Sequence, residues 1–196
     1  MNRLFIALNL SIPVVETLVM FQHDFEERLE EEYGSGVRLR MVEAANIHLT
    51  LKFLGDTPPE MVEPISDRLT EICEPLFAFE VECRTLGAFP DLERPRVLWA
   101  GLDEKSSEVL KLLQRNVEEE LAEIGVAKES RPFHPHITLG RVKSRQRPSL
   151  VELAKDYDDV SFGKSFIKDM VLYESHLTPR GARYEVVERF VLGGSQ

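Results

Sequence analysis

Apolar side chains recur along this chain at two periods, which together predict a mixture of helices and strands. Apolar positions three and four residues apart predict helices from Ser11 to Gly34, from Pro58 to Ile72, from Ser106 or Ser107 to Gly125 and, as a short one, over 149–157. Strands are predicted over 3–9, 37–41, 47–54, 77–83, 97–102, 165–176 and 183–192, with another starting at His136. Several consecutive strands are close enough in sequence to pair as hairpins, so the predicted class is α+β rather than a doubly wound parallel sheet.

Details of the strand pattern carry further expectations. The segment 97–102 is almost wholly apolar, which predicts a strand buried on both faces. Gly87, Pro90 and Pro95 predict a connecting loop, and residues 178–181 a turn. No stretch has the composition of a linker, so residues 1–196 are expected to form one unit whose two halves divide near residue 90.

The same short motif occurs in two of the predicted strands. His48-Leu49-Thr50 lies 88 residues before His136-Ile137-Thr138, since 136 − 48 = 88. Alternate side chains of a strand project to the same face, so each segment should present an imidazole and a hydroxyl on the face opposite its aliphatic residues. A single histidine on a strand is usually structural, but matched pairs in two segments indicate one shared site.

Composition limits the classes of partner. The formal net charge of −10 over 196 residues counts against a protein that coats nucleic acid, whose affinity rests on many phosphate contacts. It leaves room for a local positive cleft, and six basic residues surround the second motif: Lys128, Arg131, Arg141, Lys143, Arg145 and Arg147. A solvated basic loop is the alternative reading of this cluster.

Cysteine usage and hydropathy bear on location. Cys73 and Cys83 have neither metal-ligand spacing nor a disulfide framework. No apolar run approaches the roughly 20 residues of a membrane helix, and the first nine residues resemble a strand rather than a signal peptide. We expect a monomeric, cytoplasmic protein with reduced thiols and no membrane association.

Two histidines facing one cavity suit phosphodiester hydrolysis without a metal. A neutral imidazole takes a proton from water while a charged one donates a proton to the leaving oxygen, and the usual imidazole pKa near neutrality allows both roles. His48 and His136 are therefore the candidate catalytic residues. Thr50 and Thr138 are candidates to donate hydrogen bonds to nonbridging phosphate oxygens.

The two motifs and their flanks resemble the two-histidine phosphoesterases. The segments Asn46–Gly55 and Arg131–Arg141 are similar to those of the bacterial and archaeal RNA 2′,3′-cyclic phosphodiesterases, also called 2′-5′ RNA ligases. The segments Leu4–Leu8, Leu172–Ser175, Gly181–Glu185 and Phe190–Gly193 are similar to that branch too, so the resemblance covers nearly the whole chain.

The resemblance implies a fold and a reaction. The fold would be bilobal, with two pseudo-symmetric antiparallel sheets lining a central groove, helices outside and no cofactor. The reaction would be hydrolysis of RNA 2′,3′-cyclic phosphate ends or cyclic nucleotides to 2′-phosphomonoesters, with reversible 2′-5′ joining in some members. By this analogy His48 would be the acid and His136 the base, although the sequence itself does not assign the two roles.

The resemblance also makes Arg141 a substrate contact. Strict alternation from His136 points the Arg141 side chain away from the site, so a bulge near Gly140 would have to turn it inward. Phe53 and Phe133 could each stack on a base, but core packing is the favoured reading of both.

Two alternatives stay open. His134 and His136 share a face, and with His48 they could form a zinc site of three imidazoles. The chain could also be a noncatalytic module that binds RNA ends or nucleotides in the same groove, although a binder needs no acid-base pair.

Overall fold

Nine antiparallel strands form one sheet in the computed structural model, which describes residues 2–144, 148–178 and 181–193. The strands are β1 (Asn2–Leu8), β2 (Leu39–Met41), β3 (Leu49–Thr57), β4 (Phe79–Phe89), β5 (Val97–Leu102), β6 (Ile137–Val142), β7 (Ser161–Ile167), β8 (Asp169–Thr178) and β9 (Gly181–Val191). Their order is β7-β4-β5-β6-β3-β1-β8-β9, and β2 pairs with β6.

Four α-helices in the described part of the chain accompany the sheet: α1 (Ile12–Tyr33), α2 (Val62–Cys73), α3 (Glu104–Glu123) and α4 (Val151–Lys155). Pro13 lies in the first turn of α1, where its missing N–H leaves no intrahelical bond unmade. The apolar stripes of α1, α2 and α3 are buried in the same core cluster as Leu49 and Ile137. The α+β prediction is confirmed, and no helix among the described residues is long and apolar enough to cross a membrane.

The family resemblance predicts two sheets, whereas the structure has one sheet whose two sides correspond to them. Strands β1, β3, β8 and β9 lie on one side, and β4, β5, β6 and β7 lie on the other. The two sides join where β3 pairs with β6 at Leu49 and Ile137. Strands β8 and β9, from the end of the chain, thus lie on the same side of the sheet as β1. The division of the chain into two halves near residue 90 stays a prediction.

Some predicted bounds are wrong. The strand predicted over 165–176 is two strands, β7 and β8, separated at Lys168. Helix α3 begins earlier than predicted, because Asp103 caps it by accepting a hydrogen bond from the backbone N–H of Ser106 at 3.1 Å. Thr178 pairs with Gly181 at the predicted turn, whose residues 179 and 180 lie outside the described residues.

Strand β4 runs through Gly87 to Phe89, where the sequence predicts a loop. Gly87 pairs with Trp99 of β5, and a Cβ atom at Gly87 would lie 2.3 Å from the indole ring. The glycine therefore makes room for a ring that lies across the strand, which is a packing reason for glycine within a strand. In β5, Leu98 and Ala100 are fully buried but Val97 and Trp99 are partly exposed, so burial on both faces is incomplete.

Candidate active site

The junction between β3 and β6 places the two motif histidines. Leu49 and Ile137 pair across the junction and are both fully buried. His48 and His136 each immediately precede one of these residues, so their side chains project to the opposite face of the sheet from the core. Both histidines are half-buried.

The same register sets the positions of the threonines. In an antiparallel pair the residues that flank a paired position lie opposite one another, so Thr138 lies across from His48 and Thr50 lies across from His136. The two imidazoles are then diagonal neighbours, a relationship that puts cross-strand side chains roughly 7–8 Å apart. The structure thus brings all four motif side chains together on one patch.

Backbone carbonyl groups orient both imidazoles in the same way. The Nδ1 of His48 lies 2.7 Å from the carbonyl oxygen of Asn46, and the Nδ1 of His136 lies 2.7 Å from that of His134. A carbonyl oxygen can only accept, so Nδ1 carries the proton in each ring. In the neutral form, each Nε2 is then unprotonated and carries the lone pair that can accept a proton.

The two rings differ in their contact with the adjacent threonine. The Nε2 of His48 lies 2.9 Å from Thr50 Oγ1, which donates to a neutral ring and accepts from a charged one. No such bond joins His136 and Thr138 in the described part of the chain. The Nε2 of His136 is therefore not engaged by its own threonine.

A bulge in β3 follows the first motif. Successive β1 residues pair with Thr50 and Lys52, so Leu51 is the extra residue. The inserted residue inverts the alternation, which buries Lys52 and turns Phe53 outward. Core packing of Phe53 is therefore a wrong prediction: the side chain is 73% exposed, and its ring centroid lies 6.0 Å from that of Phe5.

A matching bulge in β6 follows the second motif. Successive β5 residues pair with Thr138 and Gly140, so Leu139 is the extra residue. Arg141 consequently lies on the same face as Thr138, where strict alternation would have placed it on the other. Its positive charge is close enough to lower the pKa of His136.

Arg40 joins this face although the sequence gives no signal for it. Arg40 lies directly opposite Arg141 in the β2–β6 pair. Like charges at directly opposed positions destabilise a sheet, so this pairing favours an anion beside the two guanidinium groups. The Arg40 side chain also reaches β9, because a Cβ atom at Gly181 would lie 2.5 Å from its Nη2.

Arg131, another basic residue near the second motif, has a carboxylate partner of its own. Arg131 is exposed and pairs with Glu129 at 3.6 Å. Arg145 and Arg147 lie outside the described residues. The cluster as a whole is therefore not assigned to the site, and Arg141 is the member whose charge lowers the pKa of a motif histidine, His136.

Aromatic rings support each imidazole, and sequence reasoning missed them. The ring of Phe5 lies 5.1 Å from that of His48, and Tyr184 meets the same imidazole edge-on at 5.3 Å. Phe89 contacts His136 edge-on at 4.9 Å. These residues lie on three further strands, so no spacing in the sequence brings them together.

Burial and neighbouring cations favour neutral imidazoles. Burial lowers the pKa of His48, the carbonyl of Asn46 opposes this, and the charge of His136 lowers it further. Burial also lowers the pKa of His136, the carbonyl of His134 opposes this, and the charges of His134 and Arg141 lower it further. An anion bound between the rings would reverse this preference by stabilising the charged form.

The three-imidazole metal alternative has no matching geometry. The side chain of His134 is exposed and lies beside two aromatic rings, 6.2 Å from Phe89 and 6.3 Å from Trp99. Among residues 2–144, 148–178 and 181–193, no three or more His, Cys, Asp or Glu side chains are grouped to hold a metal ion. The contribution of His134 to the site is its backbone carbonyl.

Comparison with known proteins identifies the class. The model of the LigT-like phosphoesterase family matches residues 24–99 and 101–184, and the chain belongs to this family. The two-histidine phosphoesterase resemblance of the sequence is thereby confirmed. The matched ranges contain both His-x-Thr motifs and Arg141.

Particular relatives share most of their length with this chain. An RNA 2′,3′-cyclic phosphodiesterase of Aquifex aeolicus is 36% identical over 88% of this chain and 92% of its own, and one of Archaeoglobus fulgidus is 34% identical over 96% and 99%. Among solved structures, the protein TT0787 of Thermus thermophilus has a TM-score of 0.76 at 30% identity, covering 99% of this chain and 100% of its own. Escherichia coli LigT complexed with 3′-AMP has a TM-score of 0.73 at 26% identity, covering 98% and 99%.

Proposed function

We propose that this protein hydrolyses the 2′,3′-cyclic phosphate ends of RNA, and cyclic nucleotides of the same chemistry, to 2′-phosphomonoesters. The observation that carries the proposal is the matched pair of imidazoles: each has Nδ1 bonded to a backbone carbonyl at 2.7 Å, and the two are diagonal neighbours across β3 and β6. Relatives over nearly the full length are RNA 2′,3′-cyclic phosphodiesterases, which supports the same activity here.

The reaction needs one neutral and one charged imidazole. The Nε2 of the neutral ring takes a proton from water as the water oxygen bonds to phosphorus. The bond from phosphorus to the 3′-oxygen breaks, and the Nε2–H of the charged ring protonates that oxygen. Following the family analogy, we assign the acid to His48 and the base to His136. The proton balance is then restored by exchange with solvent.

The neighbouring side chains would hold the phosphate during this attack. The hydroxyls of Thr50 and Thr138 lie on the same face as the imidazoles and can donate to nonbridging oxygens. Arg141, turned to this face by the bulge, would offset the negative charge of the phosphate, with Arg40 beside it.

Ligation would differ from hydrolysis only in the nucleophile. A 5′-hydroxyl of a second RNA end, in place of water, would attack the same phosphorus and expel the same 3′-oxygen, giving a 2′-5′ bond. The base would take the proton of the hydroxyl instead of that of water. Both reactions thus use one site and one pair of proton transfers.

The test is incubation of the protein with 2′,3′-cyclic AMP in the presence of a chelator. Formation of 2′-AMP, resolved chromatographically from 3′-AMP, is the expected result. Binding of the cyclic nucleotide without turnover would contradict the proposal and support the noncatalytic module instead. Turnover that stops with chelator and returns with zinc would show that the site is a metal centre.

A further inference from the structure

A polar residue interrupts the buried apolar stripe of helix α1. Gln22 is 4% exposed, and its neighbours in the stripe include the apolar Leu18, Phe25 and Leu29. The spacing of the stripe calls for an apolar side chain at this position. Glutamine is rarely so deeply buried, because its amide must then find hydrogen-bond partners inside the protein.

The amide of Gln22 bonds to two backbone carbonyl groups of the sheet. Its Nε2 donates to the carbonyl oxygen of Val42, just after β2, at 2.9 Å and to that of Leu139 in β6 at 2.8 Å. The Leu139 carbonyl also accepts from the backbone N–H of Val42 at 2.8 Å. A side-chain amide has two N–H donors, so Gln22 has one for each carbonyl. It thereby joins α1 to the place where the end of β2 meets β6.

One of these carbonyl groups belongs to the bulge in β6. Leu139 is the extra residue of that bulge, and Arg141 faces the site because of it. A bulge disrupts the regular ladder, so its backbone groups need partners from outside the strand pair. A buried carbonyl without a partner destabilises the conformation that buries it. The bonds from Gln22 therefore favour the bulged β6 over a regular strand, in which Arg141 would face away from the site.

We propose that Gln22 is a positioning residue for Arg141, because its amide holds the bulge at Leu139 that turns the guanidinium toward the site. Both bonds of Gln22 are to backbone groups, so it acts on the site only through the backbone of β6. This inference rests on the proposed function for the reaction in which Arg141 takes part. It adds a residue of α1 that lies outside both motifs, 117 positions before the bulge.

The test is a double-mutant cycle on the hydrolysis of 2′,3′-cyclic AMP. Arg141→Gln should lower kcat/KM by about 10- to 150-fold, as expected for the loss of a hydrogen bond from a charged group. Gln22→Met removes both donors and keeps the length of the side chain, and it should reproduce most of that loss. In the Arg141→Gln background, Gln22→Met should lower kcat/KM by less than about twofold, because the residue through which it acts is gone. Equal losses in the two backgrounds, or full activity of Gln22→Met, would overturn the inference.

The pH profile separates positioning from a general loss of stability. The charge of Arg141 lowers the pKa of His136, so withdrawal of the guanidinium should move the kcat/KM profile toward higher pH. Gln22→Met should therefore shift the profile in the same direction as Arg141→Gln. Val14→Ala, at a buried position of α1 beside Gly163 of β7, should lower the free energy of unfolding but leave kcat/KM and its profile unchanged. A Gln22→Met protein that loses activity with an unshifted profile would contradict the positioning role.

The positioning inference can fail independently of the proposed function. If the wild-type protein does not hydrolyse 2′,3′-cyclic AMP, the proposed function is wrong, but the pKa of His136 still reports the position of Arg141. In an NMR titration of the His136 imidazole, Gln22→Met and Arg141→Gln should both raise this pKa above its wild-type value. An unchanged pKa in Gln22→Met would refute the inference. Gln22→Asn, which carries the amide on a stem one carbon shorter, is the milder variant if Gln22→Met does not fold, and the same criterion applies to it.

Discussion

Leu49 and Ile137 lie directly opposite each other where β3 meets β6 and are both fully buried. This pair joins the two sides of the sheet, and it fixes which residues of the two motifs share a face. A shift of either strand by one residue would move the histidine and threonine of that strand to the core face. The buried pair therefore determines the geometry of the exposed site.

The first prediction concerns the two motif histidines. Replacing His48 or His136 by alanine should lower kcat for cyclic phosphate hydrolysis by about 10²–10⁴-fold each, because each removes one proton-transfer group. The midpoint of thermal unfolding should change little, since neither imidazole belongs to the apolar core. His23→Ala, at an exposed position of α1, is the matched control and should retain full activity. Retention of more than about a tenth of the rate by either motif variant would remove that residue from the acid-base pair.

The second prediction concerns pH. The reactive form has one charged and one neutral ring, so kcat/KM should be bell-shaped and report two apparent pKa values of the pair. Because the pKa values of both His48 and His136 are lowered from 6.5, the maximum of kcat/KM should lie on the acid side of pH 6.5. Bound phosphate favours the charged form, so the maximum of kcat should lie at higher pH.

A substitution of Arg141 tests the same pH dependence, with a substitution of Arg68 as its control. Its charge lowers the pKa of His136, so Arg141→Gln should move the kcat/KM profile toward higher pH in addition to lowering its height. Arg68→Gln removes a charge of the same sign on α2 and should leave the profile in place. A profile that keeps its position in Arg141→Gln would show that the guanidinium does not act on the histidine pair.

The third prediction concerns the ion pair of Lys52 and Glu118. The bulge at Leu51 buries Lys52, whose Nζ donates to Glu118 at 2.6 Å and to the carbonyl of Ala127 at 2.9 Å. The side chains of Lys52 and Glu118 are 3% and 11% exposed. Removing one partner leaves a buried charge unpaired, so Lys52→Met should lower the free energy of unfolding by about 3–5 kcal/mol.

The matched control for this ion pair removes both charges. Replacing Lys52 by Met and Glu118 by Leu together should restore a large part of the lost stability, because apolar pairs often substitute for buried ion pairs. Urea denaturation of the wild-type protein and the variants measures each value. A double variant less stable than Lys52→Met would contradict this expectation, since the hydrogen bonds from Gln114 and the backbone of Glu129 to Glu118 would then outweigh the relief of the unpaired charge.

The fourth prediction concerns the close contact of Gly87 with Trp99. A Cβ atom at Gly87 would lie 2.3 Å from the indole ring, so Gly87→Ala should displace the ring and destabilise the fold by roughly 1–3 kcal/mol. Trp99 is the one tryptophan of the chain, so its fluorescence reports the displacement directly. Gly36→Ala, where no atom lies within 4 Å of the added Cβ, should change neither stability nor fluorescence. An unchanged emission spectrum in Gly87→Ala would contradict the packing described for Trp99.

The sequence alone was sufficient for the motif residues and for most of the elements, although it merged β7 with β8 and predicted a loop where β4 continues. The spacing of His48 and Thr50, and of His136 and Thr138, determines that each pair shares a face, because the side-chain period of a strand is a local property. The helices follow for the same reason, since their apolar stripes are set by residues three and four apart. Family resemblance then added the reaction and Arg141, and strict alternation already required a bulge near Gly140 to turn Arg141 inward, which the structure has at Leu139.

Only the tertiary structure decided what lies around those residues. The bulges at Leu51 and Leu139 arise from pairing with β1 and β5, and they place Phe53 and Arg141 on the site face against the local alternation. Arg40 reaches the same face through its partner in β6. Strand alternation is set by adjacent residues, whereas register and bulges depend on which distant strands pair, and that choice is made by the burial of the whole core.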